Sequence, residues 1–267
     1  MLLGEVLKNR FSDFYSPALL RKMLTGVFLL FIFLNQTNAQ VYLGVMAGPN
    51  VGKCVFEHET YKKYHKSEWT PGFIGGFTVS IEKEHKYGLT MQFLYAVKGR
   101  TINSTANDFV KNSARYTYLD FPVLFRWYFN QQHYRWYINA GPEISYWLSG
   151  KGSMDVYDQG MDEIINYDYL INFGEPKASV DYMNVTDPKR IQINVSFGVG
   201  FQWELKHSDF IGVEIKASLG QSFWGPFDGG EIPLISKYDN FEFTNNLISL
   251  AVVYVIDPIG KQRHEKK

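Results

Sequence analysis

The sequence predicts an all-β chain whose strands close into an eight-stranded antiparallel barrel that crosses a membrane. Three observations carry this prediction: long stretches in which apolar and polar residues alternate one by one, connections that alternate between short and long, and an N-terminal export leader. The stretch Arg190–Leu205, RIQINVSFGVGFQWEL, shows the alternation most plainly. From Ile191 to Leu205 the odd positions are Ile, Ile, Val, Phe, Val, Phe, Trp and Leu, while the even ones are Gln, Asn, Ser, Gly, Gly, Gln and Glu. That is the period of a strand with two chemically opposite faces.

Composition agrees with sheet. The chain is 17% aromatic and holds 23 Gly, which suits strands and turns better than helices. A formal net charge of zero, with no basic stripe interleaved with aromatics, argues against a nucleic-acid partner. The single Cys54 leaves no internal disulfide.

Taken in chain order, residues 1–39 come first. Arg21 and Lys22 precede an apolar run from Val27 to Leu34, followed by Thr37-Asn38-Ala39, a small-x-small site before Gln40. This reads as a signal peptide cleaved near Ala39, because a membrane-spanning helix needs about 20 apolar residues. Residues 40–257 then form the expected barrel domain, and 258–267 a basic tail. Alternating stretches fall at Val41–Phe56, Trp69–Glu82, Tyr87–Arg100, Arg115–Phe129, Tyr134–Leu148, Ile191–Leu205, Phe210–Gln221 and Phe241–Ile256.

Between them, KEHK, NQQH and KHSD are tight polar turns. EHETYKKYHKSE, TINSTANDFVKNSA, Ser149–Arg190 and SFWGPFDGGEIPLISKYDN are long. A soluble sandwich meets the same water at both ends and has no reason for strict alternation of loop length. An outer-membrane barrel has one, since its periplasmic turns are short and its extracellular loops long. Closure also leaves no unpaired edge in a medium without water.

On this reading the apolar face meets lipid and the polar face fills the lumen. Residues from several strands then share one interior: Glu82, Lys98, Arg100, Asp120, Arg126, Arg135, Glu143, Glu204, Glu214 and Lys216. Eight strands enclose only enough room for side chains, so these charges are expected to pair across the lumen instead of lining a channel. Two aromatic girdles are expected at the headgroups: Tyr128, Phe129, Tyr134, Trp136, Trp203 and Phe210 at the short-turn end, and Trp69, Tyr116, Tyr118, Tyr146 and Trp147 at the other.

Several stretches, in order, carry a family resemblance: YLGVMAGPNVGK, FIGGFTVSIEKEHKYGLTMQFLYAVKGR, YTYLDFPVLFRWYF, RWYINAGPEISYWLSGK and VSFGVGFQWEL. Together they resemble the outer-membrane β-barrel domain family abundant in the Bacteroidota, including PorT-like proteins. The resemblance spans almost all of Val41–Ile256. It implies an eight-stranded outer-membrane barrel, often labelled porin-like, and PorT-like members are implicated in type IX secretion. Barrels of this kind commonly end on a terminal aromatic, whereas VVYVIDPIGKQRHEKK runs on, which places an insertion signal internally near Tyr254.

Chemistry is weakly represented. Acyl hydrolysis would want a Ser activated by a His, and only the first long loop, with His58, His65 and Ser67, brings those types together. No cofactor loop, metal-ligand spacing or EF-hand pattern is present. The expected function is therefore a non-enzymatic, monomeric scaffold embedded in outer-membrane lipid, with its outer loops free for an envelope or secretion partner.

Ser149–Pro188 combines many carboxylates with apolar members, which suits it to fold over the mouth or dock a partner. FWGPF in the last loop supplies aromatics expected to be exposed. The residues singled out are Tyr157, Asp162, Glu163, Tyr167, Tyr169, Phe223, Trp224 and Phe227. The alternatives are a small diffusion porin, a lipid-remodelling enzyme and a housekeeping barrel without a specific ligand.

Overall fold

The structure is a computed structural model and describes residues 40–83, 86–105, 109–130, 134–158, 160–205 and 209–258. The leader and most of the basic tail lie outside the described residues, as do the centres of the three short turns. The strands are β1 (Gln40–Phe56), β2 (His65–Glu68), β3 (Thr70–Lys83), β4 (Tyr87–Ser104), β5 (Lys111–Asn130), β6 (Tyr134–Asp158), β7 (Glu163–Asn172), β8 (Tyr182–Val185), β9 (Ile191–Glu204), β10 (Phe210–Gly220), β11 (Gly230–Ile232), β12 (Lys237–Asp239) and β13 (Phe243–Ile256).

Eight of these hydrogen-bond in a ring: β1, β3, β4, β5, β6, β9, β10 and β13. The ring closes because β6 pairs directly with β9, and β13 pairs with both β10 and β1. From β3 round to β1 through β13 the joins are antiparallel. These are the eight stretches expected from alternation, but β4, β5 and β6 run further outward than alternation suggested.

Burial along the strands is inverted relative to a water-soluble protein. Glu82, Glu143 and Glu214 are each 1% exposed, whereas Phe77 is 66% exposed and Val252 55%. Phe93, Phe125, Ile138, Val199, Val213 and Leu250 are likewise exposed on the outer wall. Only a surrounding medium as apolar as these side chains makes that arrangement favourable, since their exposure to water would forfeit about 25 cal/mol per Å². The wall faces lipid, and the ring satisfies the backbone that lipid cannot.

One irregularity controls the outer half. The β5–β6 register slips between Thr117/Tyr118, so that Tyr118 opposes Trp147 but Thr117 opposes Ser149. Leu148 is the extra residue of a β-bulge, and the bulge switches which parity of β6 points inward. Below it Glu143, Ser145 and Trp147 are buried; above it Met154 and Val156 are buried while Lys151 is exposed.

Beyond the bulge, the segment read as an outer loop is sheet. β7 pairs with β6, β8 runs parallel to β7, β11 pairs with β8 and β12 with β11. The inner face of this outer sheet carries Met154, Tyr169, Met183, Val185 and Ile232, all buried in one apolar cluster with Trp147, Trp224, Phe241 and Phe243. Apolar residues at alternating positions in Met154–Tyr169 needed a partner face, and the last long connection supplies it.

The girdles are half as expected. At the short-turn end Trp127, Phe129, Tyr134, Trp136 and Trp203 are exposed on the outer wall. Tyr128 and Phe210 are buried and point inward, because they share parity with Arg126 and Glu214. At the far end Trp69 is exposed and Tyr146 partly so, but Tyr116, Tyr118 and Trp147 are fully buried and line the interior.

Candidate functional site: a neutral lumen under an aromatic plug

The barrel interior is built in tiers from the short-turn end. Glu82 on β3 accepts two hydrogen bonds from Arg135 on β6, at 2.6 and 3.2 Å, and a third from the Tyr128 hydroxyl. Arg135 also donates to Gln202 at 2.8 Å, and its guanidinium lies 3.9 Å from the Phe210 ring centre. In the next tier Glu214 on β10 accepts from Arg126 at 2.9 Å, Tyr137 at 2.8 Å, Asn139 at 2.9 Å and Gln92 at 3.3 Å.

The Tyr137 ring reaches Glu214 by lying against the β9 backbone. A Cβ at Gly200 would sit 2.1 Å from that ring, so glycine is required there.

Higher up, Glu143 accepts from Ser196 at 2.6 Å, Ser218 at 3.0 Å and Asn194 at 3.2 Å, with the Lys216 ammonium 3.9 Å away. Lys216 also donates to Gln92 at 2.9 Å. Lys98 donates to Asp120 at 2.9 Å and Ser145 at 3.2 Å, and sits 4.5 Å from the Tyr118 ring centre.

The uppermost pair is Arg100 with Asp239. Asn112 donates to Asp239 at 2.8 Å and accepts from the Tyr169 hydroxyl at 2.6 Å, which ties β7 to this pair. Burial raises the Asp239 carboxyl above its ordinary range, and the Arg100 charge beside it opposes that rise.

Nine of the ten sequence-derived lumen residues are thus buried and paired. Glu204 is the exception. It shares the inward parity but is the last residue of β9, at the short-turn rim, and it is exposed. Its place as the fifth acid is taken by Asp239, which comes from an outer segment and carries no strand-parity signal. The five pairs Glu82–Arg135, Glu214–Arg126, Glu143–Lys216, Asp120–Lys98 and Asp239–Arg100 leave these charges balanced. Such an interior presents no ring of one sign to select ions. Each charge is held by hydrogen bonds, the condition under which burial is tolerated.

Above the charges an aromatic cluster closes the mouth. Trp224 is 1% exposed and makes ring contacts with Tyr116 at 4.6 Å, Tyr118 at 5.5 Å, Trp147 at 5.2 Å and Phe243 at 4.6 Å. Of the FWGPF aromatics expected to be exposed, Trp224 instead turns inward and fills the apolar space over the lumen, whereas Phe227 is exposed. Tyr169 is buried as well. Of the other candidate partner residues, Tyr157, Asp162, Glu163 and Phe227 are exposed, and Tyr167 and Phe223 partly so.

The first long connection holds a short helix, α1 (Glu59–Tyr64), before β2. His58 pairs with Glu242 at 2.9 Å, and His65 stacks on Tyr61 with ring centres 3.6 Å apart. The Ser67 hydroxyl lies 3.0 Å from the Cys54 sulfur and accepts from the Cys54 N–H, so it is engaged away from either histidine. Among the described residues no group of three or more His, Cys, Asp or Glu side chains converges as a metal site.

A closed barrel with an apolar wall and a charge-paired, filled interior defines an integral outer-membrane β-barrel protein. The model of the outer membrane protein beta-barrel domain matches residues 35–216, and the chain belongs to that family. No curated protein sequence matches it. Among solved structures, Neisserial surface protein A is similar at 9% identity over 82% of this chain and 99% of its own, with a TM-score of 0.40. The N-terminal β-barrel domain of Pseudomonas aeruginosa OprF is 8% identical over 82% and 100%, with a TM-score of 0.29. The Escherichia coli outer membrane protease OmpT is 8% identical over 80% and 96%, with a TM-score of 0.38.

Proposed function

We propose that this protein is a non-conducting, non-enzymatic scaffold of the outer membrane, exported by a leader cleaved near Ala39 and inserted as a monomer. Its outer sheet presents a docking face to a protein partner of the envelope, in the manner of an accessory of the PorT-like, Bacteroidota type. The observation that carries this reading is the contrast between the paired, plugged interior and the outer sheet. That sheet is anchored rigidly by Tyr169 and Trp224, yet it leaves Tyr157, Met161, Ile164, Leu234 and Tyr238 exposed to water. Exposed aromatic and apolar side chains on a rigid support are what a protein interface uses as anchors.

Crosslinking and pull-down from intact outer membranes test the proposal. The wild type is compared with Tyr157→Ser/Ile164→Ser, which alters the exposed face and leaves the buried one intact. Loss of a reproducible partner from the variant supports the scaffold. Identical partner profiles discard it and leave a structural role in the envelope.

A further inference from the structure

On the outward side of the barrel, where β5, β6 and β7 emerge from the wall, lies a groove of about 650 Å³. Arg115 and Lys151 stand directly opposite one another across the β5–β6 pairing on the floor of this groove. Both are exposed. Like charges at opposed positions of an antiparallel pair repel, a cost that a bound anion removes. Among the described residues neither cation has a carboxylate within ion-pair distance, although Asp168, opposite Ser153 on β6, and Asp181 line the same groove.

Hydroxyls flank the cations. Thr70 donates to Thr101 at 3.0 Å, the Thr101 and Ser113 hydroxyls are 3.4 Å apart, and Ser153 completes the row on β6. Thr101 is buried beneath this row; Thr70, Ser113 and Ser153 offer hydrogen bonds to a polyol, and the carboxylates of Asp168 and Asp181 can accept from one.

Height along the barrel says what meets this groove. Arg115 lies about a dozen residues along β5 from Trp127, which belongs to the aromatic belt at the short-turn end. At about 3.3 Å per residue and about 40° of tilt, that distance is about 30 Å along the membrane normal. The apolar band of an outer-membrane barrel is about 25 Å tall, so Arg115 and Lys151 stand just beyond it, on the outer wall, at the level of the outer-leaflet headgroups. The bulge at Leu148 makes this possible by turning Lys151 outward beside Arg115.

We propose that this groove binds the phosphorylated sugar headgroup of an outer-leaflet glycolipid. Arg115 and Lys151 hold a phosphate, Arg115 through its planar fork and Lys151 as a point charge, while the hydroxyl row and the carboxylates receive the sugar. The site is separate from the proposed partner face and does not depend on it.

The test is binding of bis-phosphorylated lipid A to full-length protein in nanodiscs, read by native mass spectrometry. The dephosphorylated lipid and inorganic phosphate are run alongside. Arg115→Gln/Lys151→Gln is compared with Lys63→Gln/Lys66→Gln, which removes equal charge from exposed positions outside the groove. Heat-modifiable gel mobility checks that each variant is folded. The expected result is at least a tenfold loss of phosphorylated-lipid binding in the groove variant alone, with the dephosphorylated lipid bound weakly and equally by all forms. Equal loss in both variants would reduce the effect to general surface charge and overturn the site. Retention in the groove variant overturns it too. Binding of inorganic phosphate as tight as that of the lipid would reassign the groove to a soluble phosphate and overturn the glycolipid.

Discussion

The transmembrane wall and the outer sheet share β5 and β6, yet these strands sort their side chains in opposite ways in the two regions. Along β5, Asp120 and Arg126 are buried while Phe125 and Trp127 are exposed; further out, Ala114 and Tyr116 are buried and Lys111 and Arg115 are exposed. The sheet geometry is unchanged between the two regions. What changes is the medium outside, hydrocarbon in one and polar headgroups and water in the other. Burial in this molecule therefore reports the surroundings of each level of the strand, and hydropathy alone does not say which residues are inside.

The largest expected effect comes from breaking a lumen pair. Glu214→Leu leaves Arg126 buried without its carboxylate, and a loss of about 3–5 kcal/mol of folding stability is expected. Glu204→Ala, which alters an exposed carboxylate of the same parity, should stay within about 0.5 kcal/mol. Urea titration of the protein refolded in lipid vesicles separates the two, and equal effects would contradict the assignment of Glu204 to the water-filled rim.

Trp224→Ala should cost about 3 kcal/mol through the cavity it leaves. Its effect should be confined to the outer half, seen as new protease cuts in Ser222–Asn240 with the barrel band on a gel unchanged. Loss of the whole barrel would mean that the plug and the wall fold as one unit.

Two matched substitutions compare the media directly. Val213→Arg on the lipid face should destabilise insertion by about 2–4 kcal/mol. Ile164→Arg, on the outward face of the outer sheet, should be nearly neutral. Similar costs would place Ile164 in lipid and erase the contrast between the regions.

The smallest expected signal is electrical. With five balanced pairs beneath an aromatic plug, planar-bilayer recordings of the wild type should show no stable current. Stable channels would favour the diffusion porin.

The sequence made the barrel legible because one rule, alternation, is applied strand after strand and the loop lengths betray its two ends. The same rule placed Glu82, Lys98, Arg100, Asp120, Arg126, Arg135, Glu143, Glu214 and Lys216 together. It also held information that the girdle assignment overlooked: Tyr116, Tyr118 and Tyr128 share the parity of Asp120 and Arg126, and parity outranks aromatic character. Asp239 and Trp224 were not legible as interior groups, since they arrive from irregular outer segments through long-range packing. Nor was the outer sheet, whose strands form only because β6 continues past the membrane and meets β7.

The bulge at Leu148 has a consequence for how this chain can change length. Tyr118 opposes Trp147 and Thr117 opposes Ser149, so deleting Leu148 would make the pairing continuous without altering the phase of either half. Deleting Ile144 instead would put the side chains between it and the bulge out of phase with the lumen, burying Tyr146 and turning Ser145 and Trp147 toward lipid. Leu148 marks a position where a single-residue insertion or deletion is absorbed, and the outer sheet can be remodelled or exchanged there while the membrane-spanning wall keeps its register.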